Sequence, residues 1–523
     1  MGDAMTNGPE LVIGLVGAIG TDLRYVTKSL SRQLTGVGYG SSEVHVSQLL
    51  HDINAYNGLA SITDKQQYYT RHMDAGNDFC AALERGDAMA LLAILQVKTN
   101  RAERHGGSDD TPPLPRHAFI INSLKRKAEI DSLRRVYGDA FILLGTYAAR
   151  DVRRDMLALS VAKSQNKEAS ECRSIAEQLI ARDEEERNEF GQHVSDTYYR
   201  ADAFIDATER TRTDDAIRRF VEVVFGHPFA TPTADELAMQ YAFTAGLRSA
   251  DLSRQVGAAI VTYDGQLLTL GTNDVAKAGG GIYWPGEYDH RDFRYADRDE
   301  PNAEMKRVIL ADMLTRLREL DLLAPGVTLD EATIAGIGRK LKDSRLMSIT
   351  EYGRAVHAEM SAITEAARRG ISVSGARLFC TTFPCHNCAK HIVAAGIREV
   401  IYIEPYSKSR VAALFADSIA VDRQPSPQQV GFSPFVGFAP TRFAEFFQLR
   451  GRVDAERHIL NWDVIRSTAQ PRVSGIPTAY LAEEVTAIKA LNDQILRTQL
   501  AIRKAEPHEQ RREAPADDGA RPA

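Results

Sequence analysis

Apolar and polar positions alternate along this chain with two different periods. Leu11 to Val16 is an apolar run broken only at Gly14, and it leads into Gly17-Ala18-Ile19-Gly20-Thr21. A helical pattern from Asp22 to Leu34 follows. His117 to Asn122 and Ala140 to Gly145 read as buried strands, with a helix from Ser123 to Tyr137 between them. Strands alternating with helices predict a parallel, doubly wound sheet. Arg101 to Arg116, with Gly-Gly and Pro-Pro, reads as an exposed loop. From Asp151 to Phe225 the pattern is helical and charged. Its mixed-sign run Arg182 to Arg187 reads as a solvated helix face, and Tyr199 to Ile205 as a last short strand. Turn formers from Gly226 to Thr233 mark a domain boundary.

The pattern then restarts. A helix is expected from Ala234 to Ser249, then a hairpin turning at Asp264-Gly265 with its second strand ending at Leu270. A long insertion, about residues 275–350, precedes a second periodic block. Connections of that length usually serve a use, as a lid or a phosphate subsite, or else form solvated surface. Val356, Met360, Ile363 and Ala367 give a helix running to Arg369, stopped at Gly370. Arg377 to Thr382 reads as a strand, Pro384 opens a helix that ends at Gly396, and Val400 to Ile403 reads as another strand. The aromatic stretch Phe432 to Phe438 is expected to pack over the core of this second domain. Thr478 to Lys504 reads as one helix. Its stripe of Leu481, Val485, Ile488, Ile495 and Ile502 is broken at Asn492 and Gln499, and faces either the domain or another subunit. Residues 1–10 and 505–523 read as a disordered leader and tail.

Length, charge and cysteine count narrow the class. A chain of 523 residues carries two or three domains. A net charge of −6 gives no global basic character for nucleic-acid binding. The five cysteines are too sparse for a disulfide framework, which fits a reducing cytoplasm. No signal peptide and no membrane-spanning run is read.

The candidate chemistry lies in the second domain. His357-Ala358-Glu359 and Pro384-Cys385-His386-Asn387-Cys388 supply one imidazole and two thiolates, the ligand types zinc prefers. Three protein ligands leave a fourth position for water, the mark of a catalytic site. Cys385 and Cys388 share one helical face, and Glu359 starts beside His357 without being a ligand. The first domain offers a weaker motif. Gly14, Gly17, Gly20 and Thr21 lie in a strand–turn–helix layout that can cradle phosphate. Against G-x-x-x-x-G-K-[ST], Gly20 falls where the lysine belongs. Lys28, further along the helix, is the sequence's own candidate to replace that charge. A tight glycine turn with no ligand is the competing reading.

The H-x-E…P-C-x-x-C pattern resembles that of the zinc-dependent nucleoside and nucleotide deaminases. The hairpin with Gly271-Thr272-Asn273 behind it resembles the start of a deoxycytidylate deaminase domain. The resemblance implies that Asn273 contacts the sugar. Arg254 is either a phosphate contact or a solvent-facing charge. Together the two halves resemble the bacterial anti-phage dCTP/dCMP deaminases. The expected fold is α/β: a P-loop-like parallel-sheet domain over residues 11–225, a cytidine-deaminase-like α/β/α domain over 234–477, and a C-terminal helix over 478–504. The resemblance implies one Zn2+ per chain on His357, Cys385 and Cys388, with Glu359 as acid/base and free deoxycytidine nucleotides as substrates. It further implies depletion of those nucleotides in antiviral defence, restraint by an inhibitory protein or RNA, and homo-oligomers. A nucleoside triphosphate at the N-terminal domain is left open. Three other readings stand beside it: a DNA or tRNA base deaminase, a bifunctional kinase–deaminase, and a nucleotide-sensing switch with structural zinc.

Overall fold

The computed structural model describes residues 8–509 except 108–111, 185, 187–190, 193, 287, 296–298, 350, 407–408 and 474–478; the side chains of 195 and 498–509 are not described either. Two compact units divide the chain, one of residues 1–231 with 436–523 and one of residues 232–435.

The first unit is built on strands β1 (Leu11–Gly17), β2 (Gly40–His45), β3 (His117–Leu124), β4 (Phe141–Tyr147) and β5 (Ala203–Asp206). They lie in the order β2-β3-β1-β4-β5, all parallel. Parallel strands are buried on both faces, so β1 and β3 read as continuous apolar runs. Helices Leu23–Gly36 and Arg210–Val224 cover one face through Val26, Leu30, Leu34, Ile217 and Phe220. The last strand starts at Ala203, four residues after the expected Tyr199.

Three expected boundaries move. A short strand Gly437–Phe438 pairs antiparallel with β5 and packs Phe438 into the first unit's core, so residues from 436 on join this unit. The second unit therefore ends at residue 435, before the expected 477. The C-terminal helix is Ala479–Glu509, and Thr478 and the tail from 510 lie outside the described residues. Helix Ala479–Glu509 is anchored in the first unit by a buried charge cluster. Arg101 donates to Glu10 at 2.6 and 3.0 Å and to Glu484 at 2.7 and 2.8 Å. Tyr480 and Tyr137 donate to the two carboxylates. Glu10 is thus part of the core, although the sequence placed it in the leader. Residues 1–7 lie outside the described residues. One arginine between two carboxylates, with phenols on the remaining lone pairs, is how buried charge is accommodated.

His117, at the start of β3, gives this unit a pH dependence. Its ring is buried, meets Ser42 Oγ at 2.9 Å, and titrates at about 4, lowered by burial and then by Arg104. The unfolded chain binds that proton near its ordinary pKa of 6.5. Stability from this group is therefore complete above pH 6.5 and is lost as pH falls toward 4. The loss amounts to about 3 kcal/mol over that window. Chemical denaturation between pH 7 and 4.5 should show a shallower acid slope in His117→Gln than in the parent. Equal slopes would exclude His117 as the source.

The second unit has strands β6 (Gly257–Val261), β7 (Leu267–Thr272), β8 (Asp274–Val275), β9 (Ala355–Val356), β10 (Arg377–Thr382), β11 (Glu399–Glu404), β12 (Ile419–Val421) and β13 (Val430–Pro434). Its main sheet has the order β12-β13-β11-β10-β6-β7. The β6–β7 hairpin is antiparallel, and β10, β11, β13 and β12 run parallel. Helices Ala234–Gly246 and Ala358–Arg369 pack on the β6–β7 side. The insertion is a folded excursion carrying helices Pro301–Glu319 and Glu331–Lys340. Its ends are clamped by the two-stranded β8–β9 ladder, Asp274 opposite Val356. That clamp brings Asn273 beside His357 across 84 positions of sequence.

Candidate metal and deaminase site

The site forms where two helices begin. His357 is the N-cap residue of helix Ala358–Arg369, which ends at Gly370 with φ 70°. Helix His386–Ala394 begins after β10, with Cys385 as its N-cap and Cys388 in its first turn. Pro384 lies outside this helix, not at its opening. The Cys385 sulfur takes the capping role, accepting from the Cys388 N–H at 3.4 Å. Backbone N–H groups and the helix dipole both favour a thiolate there.

These elements bring three ligand atoms together. His357 Nδ1 lies 3.3 Å from each sulfur, and the two sulfurs are 3.6 Å apart. One tetrahedral zinc, about 2.0–2.3 Å from each donor, would space them at roughly 3.6–3.8 Å. The observed triangle is within a few tenths of an ångström, so the donor set fits this metal. The only other group of three potential ligands among the described residues, Asp454, Glu456 and His458, lies on the first unit and is mostly exposed. Before metal binds, the Cys385 thiol is pulled down to about 4, foremost by its hydrogen bond with Cys388 and then by His357, against burial. Cys388 is pushed up by the same hydrogen bond and by burial. Ligation requires both sulfurs as thiolates, so metal binding is coupled to proton release.

Glu359 is buried at 4 % exposure in the first turn of its helix, among Cys380, Cys385 and Cys388. Burial pushes its carboxyl above the ordinary range, with the Cys385 charge adding to the shift. A carboxyl raised in this way is a better proton acceptor than an ordinary carboxylate, which suits an acid/base role.

Asn273 and Arg254 lie at the hairpin's base. Asn273 accepts from Val256 N–H at 2.7 Å and donates to Arg254 O at 2.8 Å, so its amide fixes the 254–256 segment. Arg254 is half exposed, 3.3 Å from Glu404 and over the Tyr406 ring. Strand β7 extends to Thr272. Gly271 enters the sequence reading only as the first residue of Gly271-Thr272-Asn273, after the strand, and its packing role is not read there. An added Cβ there would stand 2.0 Å from Ala358 O and 2.4 Å from Ala362 N. A lone glycine inside a strand is the available signal for such close backbone approach. Gly271→Ala must push away the helix that starts at His357. It is expected to cost about 1–3 kcal/mol and to weaken zinc retention. Thermal unfolding and metal analysis check this; an unchanged metal content would show that the helix start is not coupled to β7.

In the first unit, Gly17, Gly20 and Thr21 line a cavity of about 380 Å³, together with Lys125, Arg126, Tyr68, Tyr69, His72 and Asp183 among others. Gly14 does not line it. It lies inside β1, where an added Cβ would stand 2.8 Å from Leu124 Cδ1 and Phe141 Cζ, so its small size serves packing. Lys28 is exposed on its helix and does not line this cavity. Lys125, just after β3, is the lysine at the loop, 3.0 Å from Gly17 O. Asp183 is fully buried, contrary to the solvated face expected for its charge run. Residues 185 and 187 of that run lie outside the described residues.

Residues 232–404 match the family model of the cytidine and deoxycytidylate deaminase zinc-binding region. Deoxycytidylate deaminase of Enterobacteria phage T2 is 46% identical over 55 residues, which are 10% of this chain and 29% of that protein. ComE operon protein 2 of Bacillus subtilis (strain 168) is 35% identical over 92 residues, 18% of this chain and 47% of that protein. Human deoxycytidylate deaminase is 41% identical over 54 residues, 10% and 29% of the two chains. The chain thus spans less than half the length of these curated relatives. Among solved structures, the dCMP deaminase of cyanophage S-TIM5 in complex with dCMP and dUMP is 18% identical, covering 39% of this chain and 98% of that one, with a TM-score of 0.23. Among the described residues no helix is long and apolar enough to cross a membrane. The second half of the chain carries a zinc-binding domain of the deoxycytidylate deaminase family, with homology to enzymes that are hydrolases.

Proposed function

We propose that the second unit hydrolytically deaminates the cytosine of free deoxycytidine nucleotides, dCMP, dCTP or both, giving the uracil nucleotide and ammonia. The observation that carries this reading is the His357–Cys385–Cys388 triangle with the buried Glu359 carboxyl behind it. Zinc held by the three ligands would supply the Lewis acidity that makes a water nucleophilic at neutral pH. Glu359 takes the proton of that water and delivers it to N3 of the cytosine ring. The water oxygen bonds to C4, and Glu359 then takes the remaining hydroxyl proton and passes it to the amino group, which leaves C4 as ammonia. Asn273 holds the hairpin base at the sugar side, and Arg254 is the phosphate contact. The β8–β9 ladder next to Asn273, and the Asn273 hydrogen bond to Arg254 O, support this reading.

The wider reading is that this activity lowers the deoxycytidine nucleotide pool in anti-phage defence, in the cytoplasm, under restraint by a protein or RNA partner and within a homo-oligomer. The first unit would then bind a nucleotide at Gly17, Gly20 and Thr21 and report on the nucleotide pool.

The deciding experiment incubates zinc-loaded protein separately with dCMP, dCTP, CTP, cytidine and a single-stranded oligonucleotide, with chromatography and mass spectrometry as readout. Turnover of dCMP or dCTP supports the proposal. Turnover of the oligonucleotide alone would replace it with polynucleotide deamination. Zinc removal that unfolds the second unit, with no turnover on any substrate, would favour a structural zinc.

A further inference from the structure

The first unit's glycine loop already holds an anion of its own. Asp183, near the end of helix Arg173–Glu184, is fully buried and lines the 380 Å³ cavity. Its Oδ2 accepts the Ile19 N–H at 2.7 Å, and its Oδ1 accepts Lys125 Nζ at 2.8 Å. Two carboxylate oxygens bridging a loop N–H and a lysine ammonium make the contacts that two phosphate oxygens would make. Thr21, in the same loop, has a buried Oγ1 with no hydrogen-bond partner among the described residues.

The rest of the cavity suits a phosphorylated ring. Arg24, Lys65, Lys125 and Arg126 bring four cations to its lining. Its acids are spent within the protein. Asp22 caps helix Leu23–Gly36, Glu129 accepts from Lys125 N–H and Arg126, and Asp183 bridges Ile19 and Lys125. The ring of Tyr68 lies against His72, with centroids 4.0 Å apart, and Lys65 Nζ lies over the Tyr68 ring, 4.5 Å from its centroid. Met73, Met156 and Leu157 add apolar wall. The volume is in the range of small-molecule sites.

We propose that this cavity is a nucleoside-phosphate site in which Asp183 is a displaceable internal plug and Lys125 is the phosphate-binding cation. The proposal rests on the reading that the first unit binds a nucleotide, and it adds what that nucleotide must displace. Lys125 comes from the end of β3, so the loop keeps a lysine that its own sequence lacks at Gly20. A phosphate that takes the Ile19 and Lys125 contacts releases the Asp183 carboxylate from a fully buried position. Binding is therefore weakened by the competition with Asp183. Removing the carboxylate's charge leaves Lys125 with Gly17 O but without its ion-pair partner, and leaves a weaker acceptor facing the Ile19 N–H.

The test is calorimetric titration of the full zinc-loaded chain with ATP, GTP and UTP, triphosphates that carry no cytosine and so leave the zinc site aside. Adenosine is the phosphate-free control. Asp183→Asn should tighten triphosphate binding at least tenfold and leave adenosine unchanged. Lys125→Gln should weaken triphosphate binding at least tenfold, and Lys125→Arg should retain it. Unfolding temperature and zinc content identify any variant that has lost its fold, in which case the Asp183→Asn comparison decides alone. If the parent binds a triphosphate and Asp183→Asn binds it equally or more weakly, the plug is refuted while nucleotide binding stands. If neither the parent nor Asp183→Asn binds any triphosphate, both the plug and the nucleotide reading fall.

Discussion

Glu359→Gln is expected to keep its zinc and to lose turnover of deoxycytidine nucleotides by about 10²–10⁴-fold, the usual contribution of a positioned acid/base. The two halves of that expectation have separate physical grounds. Zinc retention follows from the proposed ligand set, His357 Nδ1 and the two sulfurs, which meet at 3.3–3.6 Å without Glu359. Glutamine has nearly the same shape, so the buried pocket among Cys380, Cys385 and Cys388 stays filled. It also buries no charge, so the fold should not weaken. Loss of turnover follows because an amide cannot take a proton from water and return one to the departing amine. Metal analysis and a dCMP or dCTP assay on the same preparation check both halves. A variant that deaminates at the parental rate would remove Glu359 from the mechanism.

Cys388→Ser is expected to lower bound zinc from about one per chain to near zero and to abolish turnover. Cys388 is fully buried in the first turn of its helix, so no solvent ligand can easily take the sulfur's place. A serine hydroxyl does not ionise near neutrality and is a poor ligand for zinc, so two protein ligands would remain. The β6–β7 hairpin, β10, β11 and their helices share an apolar core that includes Ile260, Ala362, Leu378, Ile392, Val400 and Phe432. Cys385 and Cys388 belong to the same core, but most of its members are aliphatic or aromatic side chains that do not ligate, so the second unit should stay folded. Circular dichroism and elemental analysis separate the outcomes. A variant that keeps stoichiometric zinc would show that Cys388 is not a ligand. One that unfolds on losing zinc would mean that the metal is structural. Chelation of the parent should reproduce the folded, inactive state, and zinc uptake should weaken on acidification because both sulfurs must lose their protons.

Local pattern carried much of this protein. The residue types at His357, Glu359, Cys385 and Cys388 are a statement about ligand chemistry, and their spacing needs only one helix start, one strand and one more helix start to converge. The apolar rhythm that ends at Gly370 and the apolar runs of β1, β3 and β4 are equally local, because period 3.6 and buried parallel strands leave their mark in consecutive residues. Pro384 shows the limit of such reading. A proline before a helix suits the first turn, yet here the Cys385 sulfur supplies the cap one residue later.

Tertiary structure decided what rests on partners far apart in the chain. Arg101 meets Glu484 from 383 positions away, which ties the C-terminal helix to the first unit. Asp183 meets Ile19 across 164 positions. Nothing near either acid in sequence distinguishes it from a solvated helix charge, because the cost of burying a carboxylate is offset only by cations and N–H groups that folding delivers. Gly14 and Gly271 are small because Phe141 and helix Ala358–Arg369 lie against them. Phe438 joins the first unit because β5 presents a free edge to it. The sequence by itself determined which residue types could hold zinc and many of the helices and strands, since both depend on neighbours along the chain. Strand Gly40–His45 and helices Lys65–Ala82 and Ala88–Arg104 are not read from it, and the loop expected from Arg101 begins inside the last of these with Arg101 buried. Only the folded chain decided which charges are buried, where the second unit stops, and which lysine stands at the glycine loop, since each depends on neighbours in space.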